Sequence, residues 1–427
     1  MLLGSGLSFQ VYACPDLSPF YPQDEVDWSE LGRSLSALMP QCLQNSEYFA
    51  LLGAAQLNAG DIANALEALE RSLLLAPDNG GAQVDYAEAL FLQGQLFPAM
   101  DLNQQLLQRE DIPAALLPML QQRQDSWQAL TRRRSLQLDV LTGYDHNLNG
   151  APDRDQIALT LSGESVLLVL SEEFQPVGGA FLNMRLAGSY SQLGPEHQHN
   201  ALVEVRSRVS EDSDSDLLQM NGHYALVLPG RPHNWQLNAG INNLFFGGSP
   251  LFTATEVSGR YTFADSRQCN PFASAAMQHQ VFHDQNELNA VESKFGGGVN
   301  CPVSGRRNHN LSLELSYINN NPVNQGRAGG RRDGWQFRAD WWMQLGSGTL
   351  SSQINHTELD DVSGFSPLLS GGDKRELRRS FVLVQYRRPL SRQTSLLLNF
   401  FHQDQHSNID LFRTTDTSVE IGVSLSF

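Results

Sequence analysis

The sequence predicts a two-domain α + β protein, with N-terminal α-helical repeats followed by a C-terminal transmembrane antiparallel β-barrel of about fourteen strands. Three observations predict it. Apolar residues recur with helical spacing up to Arg134, and with a period of two from Ser135 onward. No apolar run reaches the roughly eighteen residues that a spanning helix needs, so a chain like this crosses a bilayer only by closing a sheet on itself. The alternating segments run about ten residues each, the length of a tilted membrane strand.

Composition agrees. Only 18% of the 427 residues are charged, and glycine is abundant at 35. A net charge of -17 excludes the basic footprint of a nucleic-acid binder and fits a surface or secreted protein. Four cysteines allow two disulfides in an oxidising compartment such as the periplasm.

Residues 1–13 read as the end of a secretory signal, with Val11-Tyr12-Ala13 as the small-residue cleavage site before Cys14. No Lys or Arg precedes them, so three readings stay open: a start placed too late, a lipidated Cys14, or an uninformative first segment.

The helical domain spans 26–132. Within it, 46–79 matches the 34-residue tetratricopeptide (TPR) repeat at Leu52, Gly53, Gly60, Ala65, Leu69 and Pro77. Small residues at Gly53 and Ala65 let two helices approach, Gly60 permits the turn, and Pro77 ends the second helix. Gly94 and Ala99 repeat Gly60 and Ala65 one period later, with Tyr86-Ala87 where Leu52-Gly53 stood. This second copy is degenerate, since Asp111 replaces the proline and Asn103 the large apolar residue. Helices over 28–43 and 114–130 are expected to cap the stack. Such a stack offers a concave face for a peptide or partner, or serves as a spacer.

The barrel spans 135–427. Leu136, Leu138, Val140, Thr142 and Tyr144 alternate with Gln137, Asp139 and Gly143, and the pattern recurs at Leu311–Tyr317 and Trp335–Met343. Strands are expected near 135–146, 178–191, 198–210, 216–228, 233–246, 251–264, 271–283, 287–300, 308–319, 333–345, 348–358, 378–389, 393–404 and 415–427. A final strand ending on Phe427 is the kind that the barrel-assembly machinery recognises. With the helical domain in the periplasm, the short connections (194–196, 229–230, 346–347, 391–392) fall on the periplasmic side. The long ones (147–177, 320–332, 359–377, 405–414) fall outside. A second hairpin, 155–162 and 165–170, lies in the first external loop. Cys269 and Cys301 both fall at the periplasmic ends of a neighbouring strand pair and are expected to bond; Cys14 and Cys42 offer a second pair. A soluble β-sandwich would share the alternation, but not the loop asymmetry or the aromatic-rich outward faces.

The inward positions carry both signs of charge: Glu204, Arg206, Arg208, Glu256, Arg260, Glu314, Arg338 and Asp340. They are read as pairs filling the interior or as the lining of a passage. Histidines at 197 and 199, 279 and 283, and 402 and 406 lack zinc-site spacing, so no metal and no cofactor is expected. The acidic loop 212–216 is read as solvated, or as bridged by divalent ions to lipopolysaccharide. No Ser/His/Asp grouping marks a hydrolase, so the chain is not read as an enzyme.

In domain order the chain resembles the surface lipoprotein assembly modifiers, the outer-membrane component of the type XI secretion system. Gly143-Tyr144-Asp145-His146-Asn147-Leu148-Asn149-Gly150-Ala151-Pro152 is similar to the Gly-Tyr-Asp-Ser-Asn-Val-Asn segment that opens barrels of that group, departing at His146 and Leu148. The resemblance implies a monomeric outer-membrane protein that moves a lipoprotein or soluble protein cargo, often one that binds metal or haem. Its periplasmic repeats would engage that cargo; it would contact outer-membrane lipid and, during biogenesis, the assembly machinery. It implies no catalytic residue. An exopolysaccharide export porin and a passive porin with a structural helical plug are the alternatives.

Overall fold

The computed structural model describes residues 13–21, 26–230, 234–263, 269–303 and 308–427. The expected signal segment lies outside the described residues, save for Ala13. Two compact units divide the chain, one ending at Arg132 and the other beginning at Arg133.

The first unit contains α1 (Trp28–Ser36), α2 (Ser46–Asn58), α3 (Ile62–Leu75), α4 (Gly80–Leu92), α5 (Leu96–Leu107) and α6 (Leu117–Leu130). Asn45 and Asn79 cap α2 and α4 by accepting from the backbone N–H of Tyr48 and Ala82, each replacing one of the partners a helix start lacks. Gly60 and Gly94 turn the chain into α3 and α5 at φ 84° and 87°, a left-handed conformation that only glycine adopts readily. Ala65 and Ala99 are fully buried, as is Ala87, and Leu52 is nearly so. Gly53 lies so close to Leu69 that an added Cβ would stand 3.2 Å from the Leu69 backbone nitrogen. Pro77 follows the end of α3, whose last cap, Ala76, is extended.

The flanking helices are shorter than the sequence suggests, and proline explains both cases. α1 ends at Ser36 and gives way to a 3₁₀ turn, Met39–Gln41, around Pro40, which lacks the N–H that would continue an α-helix. α6 begins at Leu117 rather than 114, with Pro118 in its first turn, where a missing N–H costs nothing. Asn103 is fully buried and donates to the Leu120 carbonyl (3.0 Å) and to Gln124 Oε1 (2.8 Å), which ties α5 to α6. A disulfide joins Cys14 to Cys42 beside the cluster of Leu35, Tyr48 and Leu52.

Burial sets an expected pH dependence in this unit. The carboxyl of Asp85 on α4 is pushed up to about 6, chiefly by desolvation, with Arg123 opposing and Glu88 adding to the rise. Between about pH 4 and pH 6 the folded state therefore holds a proton that the unfolded chain releases, so stability falls as pH rises through that window and stays lower above it. Asp85→Asn should flatten this slope and raise the stability of the helical unit at pH 7 by on the order of 2 kcal/mol. Urea titrations of the full chain in detergent, followed by helical circular dichroism at pH 4.5 and pH 7, would check it.

The second unit is a closed antiparallel barrel of fourteen strands. They are β1 (Arg132–Asp145), β4 (Gly179–Leu193), β5 (Gln198–Ser210), β6 (Leu217–Leu228), β7 (Asn234–Phe246), β8 (Ser249–Thr262) and β9 (Asn270–Phe282). They continue with β10 (Ala290–Val303), β11 (His309–Pro322), β12 (Arg332–Leu345), β13 (Gly348–Gly364), β14 (Lys374–Pro389), β15 (Thr394–Ser407) and β16 (Thr414–Ser426). A separate hairpin, β2 (Gln156–Leu161) and β3 (Glu164–Val169), interrupts the first connection, turning at Ser162-Gly163 with φ 51° and 85°, the conformation of a tight two-residue hairpin turn. β1 closes against β16, with Leu138 opposite Leu425 and Val140 opposite Val423, and Phe427 exchanges backbone hydrogen bonds with Leu136.

Several strands outrun their expected bounds. β13 continues to Gly364 past a bulge, and β14 starts at Lys374, so the expected 359–377 loop shrinks to 365–373. The charged residues there read as loop, but they pair across a ladder that projects past the apolar band. β10 starts at Ala290 rather than 287, because Asn286–Leu288 forms a 3₁₀ turn.

Alternation divides most of the wall into an apolar outward face and a polar inward one. Val203, Val257, Phe295, Leu315 and Val419 face outward and are each more than half exposed. Rings gather at both rims: Trp235, Tyr261 and Phe263 at the end where the chain enters the barrel, Tyr317 and Trp335 at the other. An exposed apolar wall between aromatic girdles is unstable in water and matches a lipid bilayer, and a sheet without edges leaves no backbone group unpaired in lipid. The barrel spans an outer membrane.

Candidate functional site

The inward face of the barrel is polar and held by ion pairs. Arg185 bridges Asp139 (3.0 Å) and Glu204 (2.5 Å), while Arg206 stands 3.9 Å from Glu204. Arg260 meets Glu314 at 3.2 Å and lies 4.0 Å from the ring centre of Phe272. Glu256 accepts from Gln278 (3.2 Å), and Arg338 pairs with Asp340 at 2.7 Å along one strand. Most of the eight charges singled out in the sequence thus meet a partner, on the same strand, on the next one, or two to three strands away around the lumen, as Arg260 on β8 meets Glu314 on β11. Arg185, Asp139 and Asp145 complete these networks; their inward position follows from alternation, but their partners depend on a register that the sequence does not display.

Several cavities lie within this wall, two of them large. One of about 760 Å³ is lined from β13 through β16, β1 and β4 to β6, and includes Phe381, Leu383, Leu397, Phe401, Arg206 and Arg387. The other, of about 570 Å³, is lined by Glu256, Arg260, Lys294, Glu314 and Arg338.

The end opposite the chain entry is held by two clusters. In the first, Arg208 binds Asp145 (2.8 Å) and the carbonyl of Leu148 (2.7 Å). Asn147 donates to the carbonyls of Ala151 (2.9 Å) and Thr415 (3.1 Å), and Asn149 accepts from the Val177 N–H (3.1 Å). The 143–152 segment is therefore a fastening for the first long loop, and its asparagines are the residues that fasten it.

In the second cluster, Asp361 is buried against Arg375 (3.2 Å) and Arg332 (3.3 Å). Arg375 lies between the rings of Phe365 (4.3 Å) and Phe412 (4.5 Å), which belong to two different loops. Arg327, in a third loop, binds Asn320 and the carbonyl of Gly330. Burial holds the Arg327 guanidinium below its usual range, against the pull of Asp361.

At the entry end, Cys269 and Cys301 are disulfide-bonded. Among the described residues no group of three or more His, Cys, Asp or Glu side chains is placed to hold a metal ion. The histidines at 199, 283 and 402 instead hydrogen-bond Tyr224, Thr253 and Thr417.

No protein-family model matches the chain, and no curated protein sequence matches it. Among solved structures it is similar to the outer membrane channel DcaP of Acinetobacter baumannii, at 10% identity, with 70% of this chain and 98% of that one covered and a TM-score of 0.40. It is also similar to an anion-selective porin from Comamonas acidovorans (11% identity, 69% and 99% covered, TM-score 0.36). A FadL homologue of Pseudomonas aeruginosa is 9% identical, with 69% and 90% covered and a TM-score of 0.36.

Proposed function

We propose that the chain is an outer-membrane export protein, in which a periplasmic TPR-like unit engages a lipoprotein or soluble protein cargo and the barrel provides its route to the surface. One observation carries this reading. Two helical hairpins with tetratricopeptide spacing are followed by α6, and a single residue, Thr131, separates α6 from the first barrel strand. A repeat stack is a peptide-holding device, and joining it so tightly to a barrel suits a handover between the two. The short connections 194–197 and 346–347 lie at the end where the chain enters, which favours placing the helical unit in the periplasm. The outer-membrane lipid and the assembly machinery are its remaining partners, and the protein acts as a monomer.

Deleting the gene and comparing surface-exposed and secreted proteins should show the loss of one or a few species, restored by the full chain but not by one lacking 26–130. An unchanged surface proteome would overturn the reading. The lumenal cavities favour a second reading, a passive channel. Ohmic conductance in planar bilayers that is independent of residues 26–130, together with an unchanged surface, would support it.

A further inference from the structure

The larger lumenal cavity is two-faced. Phe381 and Leu383 on β14 stand beside Leu397 and Phe401 on β15, with the Phe381 and Phe401 rings 6.2 Å apart. The lumenal face of such a barrel is ordinarily polar, so an apolar sector inside it is an exception to the pattern that builds most of the wall. Four arginines and five carboxylates stand among the amides that line most of the remainder of the same cavity.

Hydrogen-bond capacity in this cavity is unevenly spent. Both oxygens of Glu420 are occupied, by the amides of Asn183 and Asn399 at 2.7 Å each. Asp139 and Glu204 are held by Arg185. Arg206, in contrast, has its nearest carboxylate at 3.9 Å, its Nε is buried with no hydrogen-bond partner, and 43% of its side chain is open to the cavity. Arg387 donates to a single hydroxyl, that of Ser424, at 3.3 Å. Two acceptors, Asn183 Oδ1 and Asp416 Oδ1, are likewise without a partner. The balance still favours donors, and guanidinium groups with unspent N–H select a carboxylate or a similar anion.

We infer that this cavity is a binding site for a small amphipathic anion, with an aromatic or branched apolar body against Phe381, Leu383, Leu397 and Phe401 and a carboxylate on Arg206 and Arg387. Its volume of about 760 Å³ suits such a molecule. The site does not rest on the export reading, and stands whether or not the helical unit handles a protein cargo.

The test is calorimetric titration of the purified full chain in detergent with phenylacetate, acetate and phenethylammonium. Phenylacetate should bind at least tenfold more tightly than acetate, and phenethylammonium should show no binding. Arg206→Gln should weaken phenylacetate at least tenfold, Leu383→Asn several-fold, and Arg338→Gln, in the other cavity, not at all. Heat-modifiable migration on gels establishes that each variant forms its barrel; where Arg206→Gln does not, Arg387→Gln takes its place with the same expected loss. Equal affinity for phenylacetate and acetate, binding of the cation as strong as that of the anion, or folded Arg206→Gln and Arg387→Gln variants with unchanged affinity would each overturn the site.

Discussion

Asp361→Ala is expected to release the loops at the end of the barrel opposite the chain entry at a cost of about 3–5 kcal/mol, the usual penalty for leaving buried charges without their partner. The Asp361 side chain is only 1% exposed and is the anion shared by Arg332 and Arg375, with Arg327 also within its field. Without it, two or three guanidinium groups would face one another where little water reaches, and the least costly relief is to move the loops outward. Because Arg375 is clasped by Phe365 and Phe412, loops 365–373 and 408–413 should loosen together. Trypsin sensitivity at Arg327, Lys374 and Arg375 should rise by an order of magnitude or more, while the barrel keeps its heat-modifiable migration. Trypsin resistance equal to that of the parent would mean that the cluster does not hold the loops. Asp361→Asn, which keeps the shape but loses the charge, should fall between the two.

The second large effect belongs to the helical unit. Gly53→Leu would drive a side chain into Leu69, which is fully buried and whose backbone is already within 3.2 Å of the position of a Cβ. Neither α2 nor α3 can yield without opening the core, so the loss should reach about 3 kcal/mol, the upper end of the usual cost of overpacking. Gly53→Ala should cost less but remain measurable. Far-ultraviolet circular dichroism at 222 nm would show a lowered helical transition in the full chain. The β signal and the gel migration should not change, since the two compact units have separate cores.

The barrel was legible in the sequence because it is written with a period of two: Leu311 to Tyr317 on one face and Ser312 to Ser316 on the other leave little choice of structure. The limits of the strands were less legible. Asp360, Asp361, Arg375 and Glu376 are charged and stand in two adjacent pairs, which reads as solvated loop until the ladder sets Asp360 opposite Glu376 and an ion pair joins Asp361 to Arg375. The same reason hid the Asp361 cluster, since Asp361 meets Arg332 and Arg375 only through the register of three neighbouring strands. Lumenal charges were visible by side but not by partner. The apolar sector was not visible at all, because Phe381-Val382-Leu383-Val384 and Leu396-Leu397-Leu398 are apolar on both faces and alternation cannot say which residues point inward. In the helical unit the turn glycines stood out, since a φ near 85° has few other tenants. The prolines that shorten α1 and α6 were equally visible in the sequence, but the apolar spacing masked them.

The pairing of β1 with β16 has a consequence for the order in which the molecule is made. Gln137 must find Ser426, so closure awaits a contact between the two most distant strands of the barrel, the kind of long-range contact that slows folding most. The helical hairpins contact their immediate neighbours and need nothing beyond Arg132. They should therefore be compact while the strands are still unpaired. A nascent chain would then arrive at the membrane as a finished domain towing an open sheet, and pulse-labelled hydrogen exchange during refolding should protect Leu69 and Ala99 well before Val140 and Val423.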